Sequence, residues 1–408
     1  MPLLEHAIFW HSAALGASGV KGTHTVFQSW RALGETTPLR PPCWLLFGAI
    51  LFWAGCSGGP DSSSPPVSAT ATACTTAAGN LQTVFDTDRT ALGAPAATLS
   101  VIAADGCTWD GASGTRGPAD PTPTQSTNLF RVGSVTKPFV ATLILLLRDE
   151  GRLSLDAPLS TWVSPFPNNT SITVRHLLSH TSGAPEYITT PAFIAGGAKA
   201  WTPEELIALI ETAPAAFAPG TAFSYTNTNY VLLGIIIERL TGTPISEQLR
   251  ARILTPLHLS ETYFAGQEAG PATIRGFGLV SGVLTDVTDL IHPSRAYAAG
   301  ALVSTVGDLR RFSAALFGGQ LLSDASLREM TTPATLTNGT SIPYGLGISI
   351  RTDTAGTLWS HDGDIAGFSA TLRYWPDLRI GVAALANRGS TDLSALAAHA
   401  RQALQDAR

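Results

Sequence analysis

From Phe139 to Leu147 the chain reads Phe-Val-Ala-Thr-Leu-Ile-Leu-Leu-Leu, a stretch apolar on nearly every helical face. A helix with no polar side must be wrapped by other elements, so it belongs at the centre of a large domain. The spacing predicts a helix over Ser134–Glu150. Pro138 falls in its first turn, where a missing N–H costs little, and Gly151 supplies the stop. At the tip stand Ser134 and Lys137, three apart and therefore on one face. Lysine is scarce here. Lys21, Lys137 and Lys199 are the only three among 25 basic residues, which makes a lysine in a pattern more informative.

A serine hydroxyl is a poor nucleophile without a base in hydrogen-bond reach. A lysine can be that base only when neutral, so its pKa of roughly 10.4 must be pulled down by burial. The apolar helix would supply the burial, and its N-terminus would favour a developing oxyanion. The bland alternative is a capping serine beside a solvated lysine.

Two further stretches can carry chemistry. Tyr225-Thr226-Asn227 follows a Pro219-Gly220 turn and precedes an apolar helix; a phenol and an amide on such a loop can relay a proton and hold a carbonyl. His361-Asp362-Gly363 ends an expected strand. Gly363 lets a ligand approach the backbone, and the N–H of Asp364 could complete an oxyanion hole with that of Ser134. Taken singly, each is more often an ordinary loop or strand residue. Gly55-Cys56-Ser57-Gly58-Gly59 matches a nucleophile-elbow pattern by spelling alone. His176 and His180 have metal-like spacing but lack the accompanying Glu. Neither a metal nor a cofactor is called for.

The layout reads as α+β: an antiparallel sheet flanked by helices, with a mostly helical second lobe. Asn80–Leu92 is an expected helix. Ala96–Ala103 and Cys107–Ser113 form a hairpin, and a polar loop runs to about Asn128. Helices are expected at 173–179, 203–212, 228–240 and 305–317. Strands are expected at Tyr344–Arg351, Thr357–Ser360, Phe368–Trp375 and Arg379–Ala386, with a closing helix over Asp392–Ala407. The folded domain is assigned to 80–408, its helical lobe (about 150–335) inserted in the sheet-bearing lobe.

Residues 1–55 read as a leader. A short apolar run at 42–54 follows Arg31 and Arg40, and Ala54-Gly55-Cys56 resembles a bacterial lipobox, with Cys56 the lipidated residue. An uncleaved anchor is the alternative. Residues 56–79, rich in Ser, Pro, Thr and Ala, read as a flexible tether. The expected location is therefore exported and membrane-anchored through lipid, in the periplasm or at the cell surface. In such an oxidising compartment Cys74 and Cys107 are either a disulfide or two free thiols. The formal charge of −5 excludes a general basic field for nucleic acid.

In order and spacing, Ser134-x-x-Lys137, Tyr225-x-Asn227 and His361-x-Gly363 resemble the serine β-lactamase-like family, which includes class C β-lactamases, D-alanyl-D-alanine carboxypeptidases and related esterases. Leu129–Lys137, Ile172–Gly183, Pro219–Asn227 and Ala299–Thr305 agree with it, over about residues 94–390. The resemblance makes both histidines of the second stretch scaffold residues. It implies that Ser134 is acylated, Lys137 is its base and Tyr225 shuttles the proton. Asn227 would hold the substrate amide. His361 would give a polar or cationic edge, and the N–H groups of Ser134 and Asp364 would form the oxyanion hole. Asp362 stands where many of the carboxypeptidases carry Thr or Ser. Its charge leads us to expect weak penicillin hydrolysis and a preference for an ester or a different D-peptide. The implied activity is a cell-envelope hydrolase acting on a peptide or ester, such as a peptidoglycan stem peptide. The competing class is a catalytically silent lipoprotein that binds peptidoglycan or a partner in the same cleft.

Overall fold

The computed structural model describes residues 74–407. The leader, Cys56 and most of the expected tether lie outside them. Cys74 is joined to Cys107 by a disulfide, and its N–H donates to Thr108 O. Helix α1 (Thr75–Leu92) begins directly after Cys74, so the last five residues of the expected tether are helical. The reason is packing: Ala77, Leu81 and Phe85, spaced by four, are buried on one face, and the disulfide pins the first turn. Gly93 closes the helix in the left-handed conformation.

Strands β1 (Ala96–Ile102) and β2 (Thr108–Gly117) form the expected hairpin, and part of the polar loop pairs as β3 (Asp120–Pro123). After β4 (Phe130–Arg131) a 3₁₀ turn, Gly133–Val135, leads into α2 (Thr136–Asp149). The middle of the chain supplies α3 (Val174–Leu178), α4 (Pro191–Ala195), α5 (Pro203–Ala208), α6 (Asn227–Thr241) and α7 (Ile245–Leu249). It also holds β5 (Tyr263–Phe264), the hairpin β6 (Phe277–Val280) and β7 (Val283–Asp286), β8 (Leu302–Ser304), α8 (Val306–Phe317) and α9 (Asp324–Met330). The last third is the expected meander, β9 (Ser349–Asp353), β10 (Gly356–Ile365), β11 (Phe368–Trp375) and β12 (Ile380–Ala386), closed by α10 (Ser394–Asp406).

The two chain ends share one seven-stranded antiparallel sheet, in the order β3-β2-β1-β12-β11-β10-β9. Helices cover both faces, so its central strands bury side chains on both sides and read as continuous apolar runs. Val382, Ala384 and Ala386 face α1 and α10, while Ala383 and Leu385 face the larger core built around α2 and α6. Eleven of the fourteen α2 residues are buried, as a helix without a polar face requires. Not all of 150–335 is a separate helical lobe. Helix α8 packs on β1, β11 and β12, and β4, β8 and β5 form a small sheet beneath the Ser134 turn.

Candidate active site

The 3₁₀ turn before α2 carries Ser134, and the first turn of α2 carries Lys137. Lys137 is fully buried and Ser134 nearly so. The Lys137 Nζ lies 2.9 Å from each of three oxygens: Ser134 Oγ, Asn227 Oδ1 and the Ala299 carbonyl. All three belong to uncharged groups. Burial pulls the amine from its ordinary 10.5 down to about 7, opposed in part by the Glu186 carboxylate. A neutral amine has two N–H donors and one lone pair. Donating to Asn227 Oδ1 and Ala299 O leaves the lone pair for the Ser134 hydroxyl proton, which is the geometry of a general base.

Asn227 is oriented from below. Glu186 accepts its backbone N–H at 2.7 Å and its side-chain amide at 3.2 Å, which turns Oδ1 toward Lys137. Burial holds the Glu186 carboxyl above its usual range. Thr226 caps α6 by accepting from Thr228 N–H, so Asn227 is fixed at the first turn of a buried helix. Tyr225 stands just before that cap. Its ring centroid is 4.9 Å from Lys137 Nζ and 6.2 Å from the His361 ring. Burial raises the phenol's pKa, with the Ser134 side chain close by pulling it the other way.

His361 is not a cationic edge. Its Nδ1 donates to Asp362 O at 2.7 Å, and its Nε2 accepts from the Tyr344 hydroxyl at 3.0 Å. Burial, reinforced by Lys137, lowers its pKa to about 4, so the ring is uncharged at neutral pH. The expectation about Asp362 also needs correcting. Strand β10 continues through Ile365, so successive side chains alternate, and Asp362 lies on the sheet face opposite His361. There it accepts from Thr371 and Arg373 and is 60% exposed. Its side chain lies outside the cleft.

Gly363 shares the His361 face and packs against the nucleophile turn. A Cβ there would fall 2.0 Å from Val132 O and 3.1 Å from Ser134 N. Gly133, at φ +51°, lies equally close to the next residue: a Cβ on it would be 2.9 Å from Asp364 N. The two backbone segments expected to supply oxyanion donors are thus in contact, and glycine is required on both sides of it. Ser134, Lys137, Tyr225, Asn227, His361, Gly363 and Asp364 all converge here. Glu186, the Ala299 carbonyl and Tyr344 join them without having been singled out by spacing. His176 completes a capping box on α3 with Thr173. Among the described residues no group of three or more His, Cys, Asp or Glu could hold a metal ion.

Residues 81–407 match the family model described as Beta-lactamase. The chain is 29% identical over 281 residues to penicillin-binding protein 4* of Bacillus subtilis (strain 168), covering 65% of this chain and 62% of that protein. It is 33% identical over 161 residues to esterase EstB of Burkholderia gladioli, covering 36% and 41%. The chain therefore spans under two thirds of the length of these relatives. Among solved structures, a D-stereospecific amidohydrolase from Streptomyces sp. superposes with TM-score 0.68 and 31% identity, over 81% of this chain and 97% of that one. The D-amino acid amidase of Ochrobactrum anthropi SV3 gives TM-score 0.73 and 27% identity, over 81% and 99%. A match across 81–407, on a sheet and cleft of this geometry, settles the kinship: the chain belongs to the beta-lactamase family of serine hydrolases.

Proposed function

We propose that this chain hydrolyses an amide or ester through an acyl-enzyme on Ser134. One observation carries the reading: a fully buried amine, whose three oxygen contacts are all uncharged, sits 2.9 Å from the Ser134 hydroxyl. Ser134 Oγ attacks the substrate carbonyl carbon as its proton passes to Lys137 Nζ. The oxyanion is held by the N–H groups of Ser134 and Asp364. The proton on Lys137 Nζ passes through the Tyr225 hydroxyl to the leaving amine or alkoxide as the carbonyl–leaving-group bond breaks. Water then attacks the acyl carbon, giving one proton through Tyr225 to Lys137; as the ester bond to Ser134 breaks, that proton returns to Oγ and the free acid departs.

Within the choice of D-peptide carboxypeptidase or esterase, the cleft favours a substrate without a terminal carboxylate. Both nitrogens of His361 are occupied inside the protein, so the ring offers neither charge nor a hydrogen bond to an anion. The carboxylate that is present, Glu186, disfavours a second negative charge nearby. The relatives named as a D-amino acid amidase and as an esterase fit that choice. Labelling tests the reading. A fluorophosphonate probe is expected to mark the wild-type chain and not Ser134→Ala. Absence of label from the wild type, or its persistence in Ser134→Ala, rejects an acylated Ser134 and favours the silent binding protein.

We also propose that the chain works on the cell envelope, tethered through lipid on Cys56 after removal of residues 1–55. Incorporation of an alkyne-tagged fatty acid that Cys56→Ala abolishes is the expected result. Equal incorporation by both chains overturns it.

A further inference from the structure

His180 has no part in the steps above, yet it is among the most constrained side chains in the molecule. It is fully buried, and its backbone is left-handed at φ +57°, which is unusual for a residue with a Cβ. Its carbonyl accepts the Ser224 N–H at 3.0 Å, and its ring Nδ1 accepts the Thr226 N–H at 3.3 Å. Its ring lies 4.2 Å from that of Tyr225, tilted by 32°. One residue therefore holds the backbone on both sides of Tyr225 and rests against the phenol ring between them. The left-handed turn is what lets carbonyl and ring address the same loop.

The proton on His180 is placed by a chain of bonds. Ala184 N–H donates to Ser182 Oγ at 3.0 Å, so Ser182 donates onward to Asn229 Oδ1 at 2.6 Å. That leaves the Asn229 amide N–H facing His180 Nδ1 at 3.2 Å. With two donors aimed at it, Nδ1 is the bare nitrogen and the proton sits on Nε2. Nε2 is buried without a hydrogen-bond partner, among the rings of Tyr225, Tyr230 and Tyr344. A strained backbone and an unmatched N–H are retained together where the phenol must be aimed.

We infer that His180 is the positioning residue for Tyr225: it brackets the tyrosine through the Ser224 and Thr226 N–H groups and fixes the angle of the phenol toward Ser134. The inference rests on the hydrolase reading above and goes beyond it, because His180 touches neither the nucleophile nor its base. His180→Leu removes the ring acceptor and the aromatic face. His180→Asn keeps an acceptor near Nδ1 and tolerates the left-handed backbone.

The test compares the full-length variants on a 4-nitrophenyl acyl ester, with turnover divided by the number of Ser134 sites a fluorophosphonate titrates. His180→Leu is expected to lose on the order of 10–100-fold in kcat per titrated site, with KM changed by less than about threefold. His180→Asn should recover part of that loss. In a Tyr225→Phe background the His180→Leu loss should largely vanish, because there is no hydroxyl left to aim. A purely structural histidine would instead lower the number of titrated sites and leave turnover per site unchanged, which overturns the inference, as does full additivity with Tyr225→Phe. An arm independent of activity uses ring-labelled tyrosine and ¹⁵N-labelled histidine in the same proteins. The wild type should show a Nε2–H tautomer and one ordered Tyr225 ring signal that broadens or splits in His180→Asn. An unchanged Tyr225 signal rejects the inference even if His180→Leu fails to fold. Absence of fluorophosphonate labelling in the wild type rejects only the hydrolase reading.

Discussion

Two buried cations lie on opposite faces of the same sheet, and the protein treats them in opposite ways. Arg373, on β11, is 8% exposed; its Nη2 donates to Asp362 Oδ1 at 3.0 Å and to Ser394 Oγ, and its Nε to Thr371 Oγ1. Lys137 is 0% exposed and meets three oxygens from uncharged groups. The difference is set on one strand. In β10, Asp362 points to the arginine face and its neighbour His361 points to the lysine face. Strand alternation thus delivers a carboxylate to one cation and an uncharged imidazole to the other. Burial alone does not make a base. A buried amine whose contacts are all uncharged can lose its proton, whereas a guanidinium keeps its own with or without a carboxylate beside it.

Making Lys137 resemble Arg373 should have the largest effect. Lys137→Arg installs a cation that cannot give up its proton, in a space already filled. Turnover is expected to fall by about 10³-fold or more at pH 8, with fluorophosphonate labelling slowed in parallel. A variant retaining a tenth of wild-type activity would mean that Lys137 is not the base.

The wild-type pH profile sharpens the same contrast. The active form carries neutral Lys137, and its pKa is held at about 7 by burial. Below that value kcat/KM should therefore rise about tenfold per pH unit, levelling above about 7. His361, near 4, is already uncharged across this window and adds no second limb there. A flat profile from pH 5 to 8 on an ester whose chemistry is rate-limiting would break the assignment of the base.

How much of this was legible in the chain follows from range. The α2 run and the three-residue step from Ser134 to Lys137 are local, so helical geometry alone put both groups on one face and inside the core. Tyr225, Asn227 and His361 were legible only as a set, through the family's spacing. The Ala299 carbonyl, 162 residues from Lys137, is a backbone group and leaves no mark in composition. Glu186 and Tyr344 act across 41 and 17 residues, and nothing in their neighbours distinguishes them from loop residues. The error over Asp362 has a simpler origin. Asp362 was assigned to the cleft as the residue after His361, although strand neighbours point to opposite faces. With the strand running to Ile365, as observed, alternation alone puts Asp362 on the far side. Likewise the spacing of Ala77, Leu81 and Phe85 carried α1 back into a segment whose composition reads as tether.

The smallest expected effect concerns stability, and there the two cations should differ in sign. Lys137 is depressed in the folded chain, so between pH 7 and 10.5 the unfolded chain binds more protons and stability rises with pH. Below pH 7 both states carry the charge and the penalty is complete, on the order of 4–5 kcal/mol. Lys137→Met removes that penalty but leaves Asn227 Oδ1 and Ala299 O without a donor, so a net gain of about 1–3 kcal/mol is expected at pH 6. The gain should shrink toward pH 10, where wild-type Lys137 is neutral in the folded chain and increasingly so when unfolded. Arg373→Met has no comparable burden to relieve. It strips Asp362 and Ser394 of a donor and should cost about 1–2 kcal/mol, tempered because Asp362 is mostly exposed to water. Thermal melts of the two variants against wild type at pH 6 and pH 9.5 measure this. Stabilisation by Lys137→Met that is equal at both pH values would trace the gain to packing and not to charge, and would dissolve the contrast between the two faces.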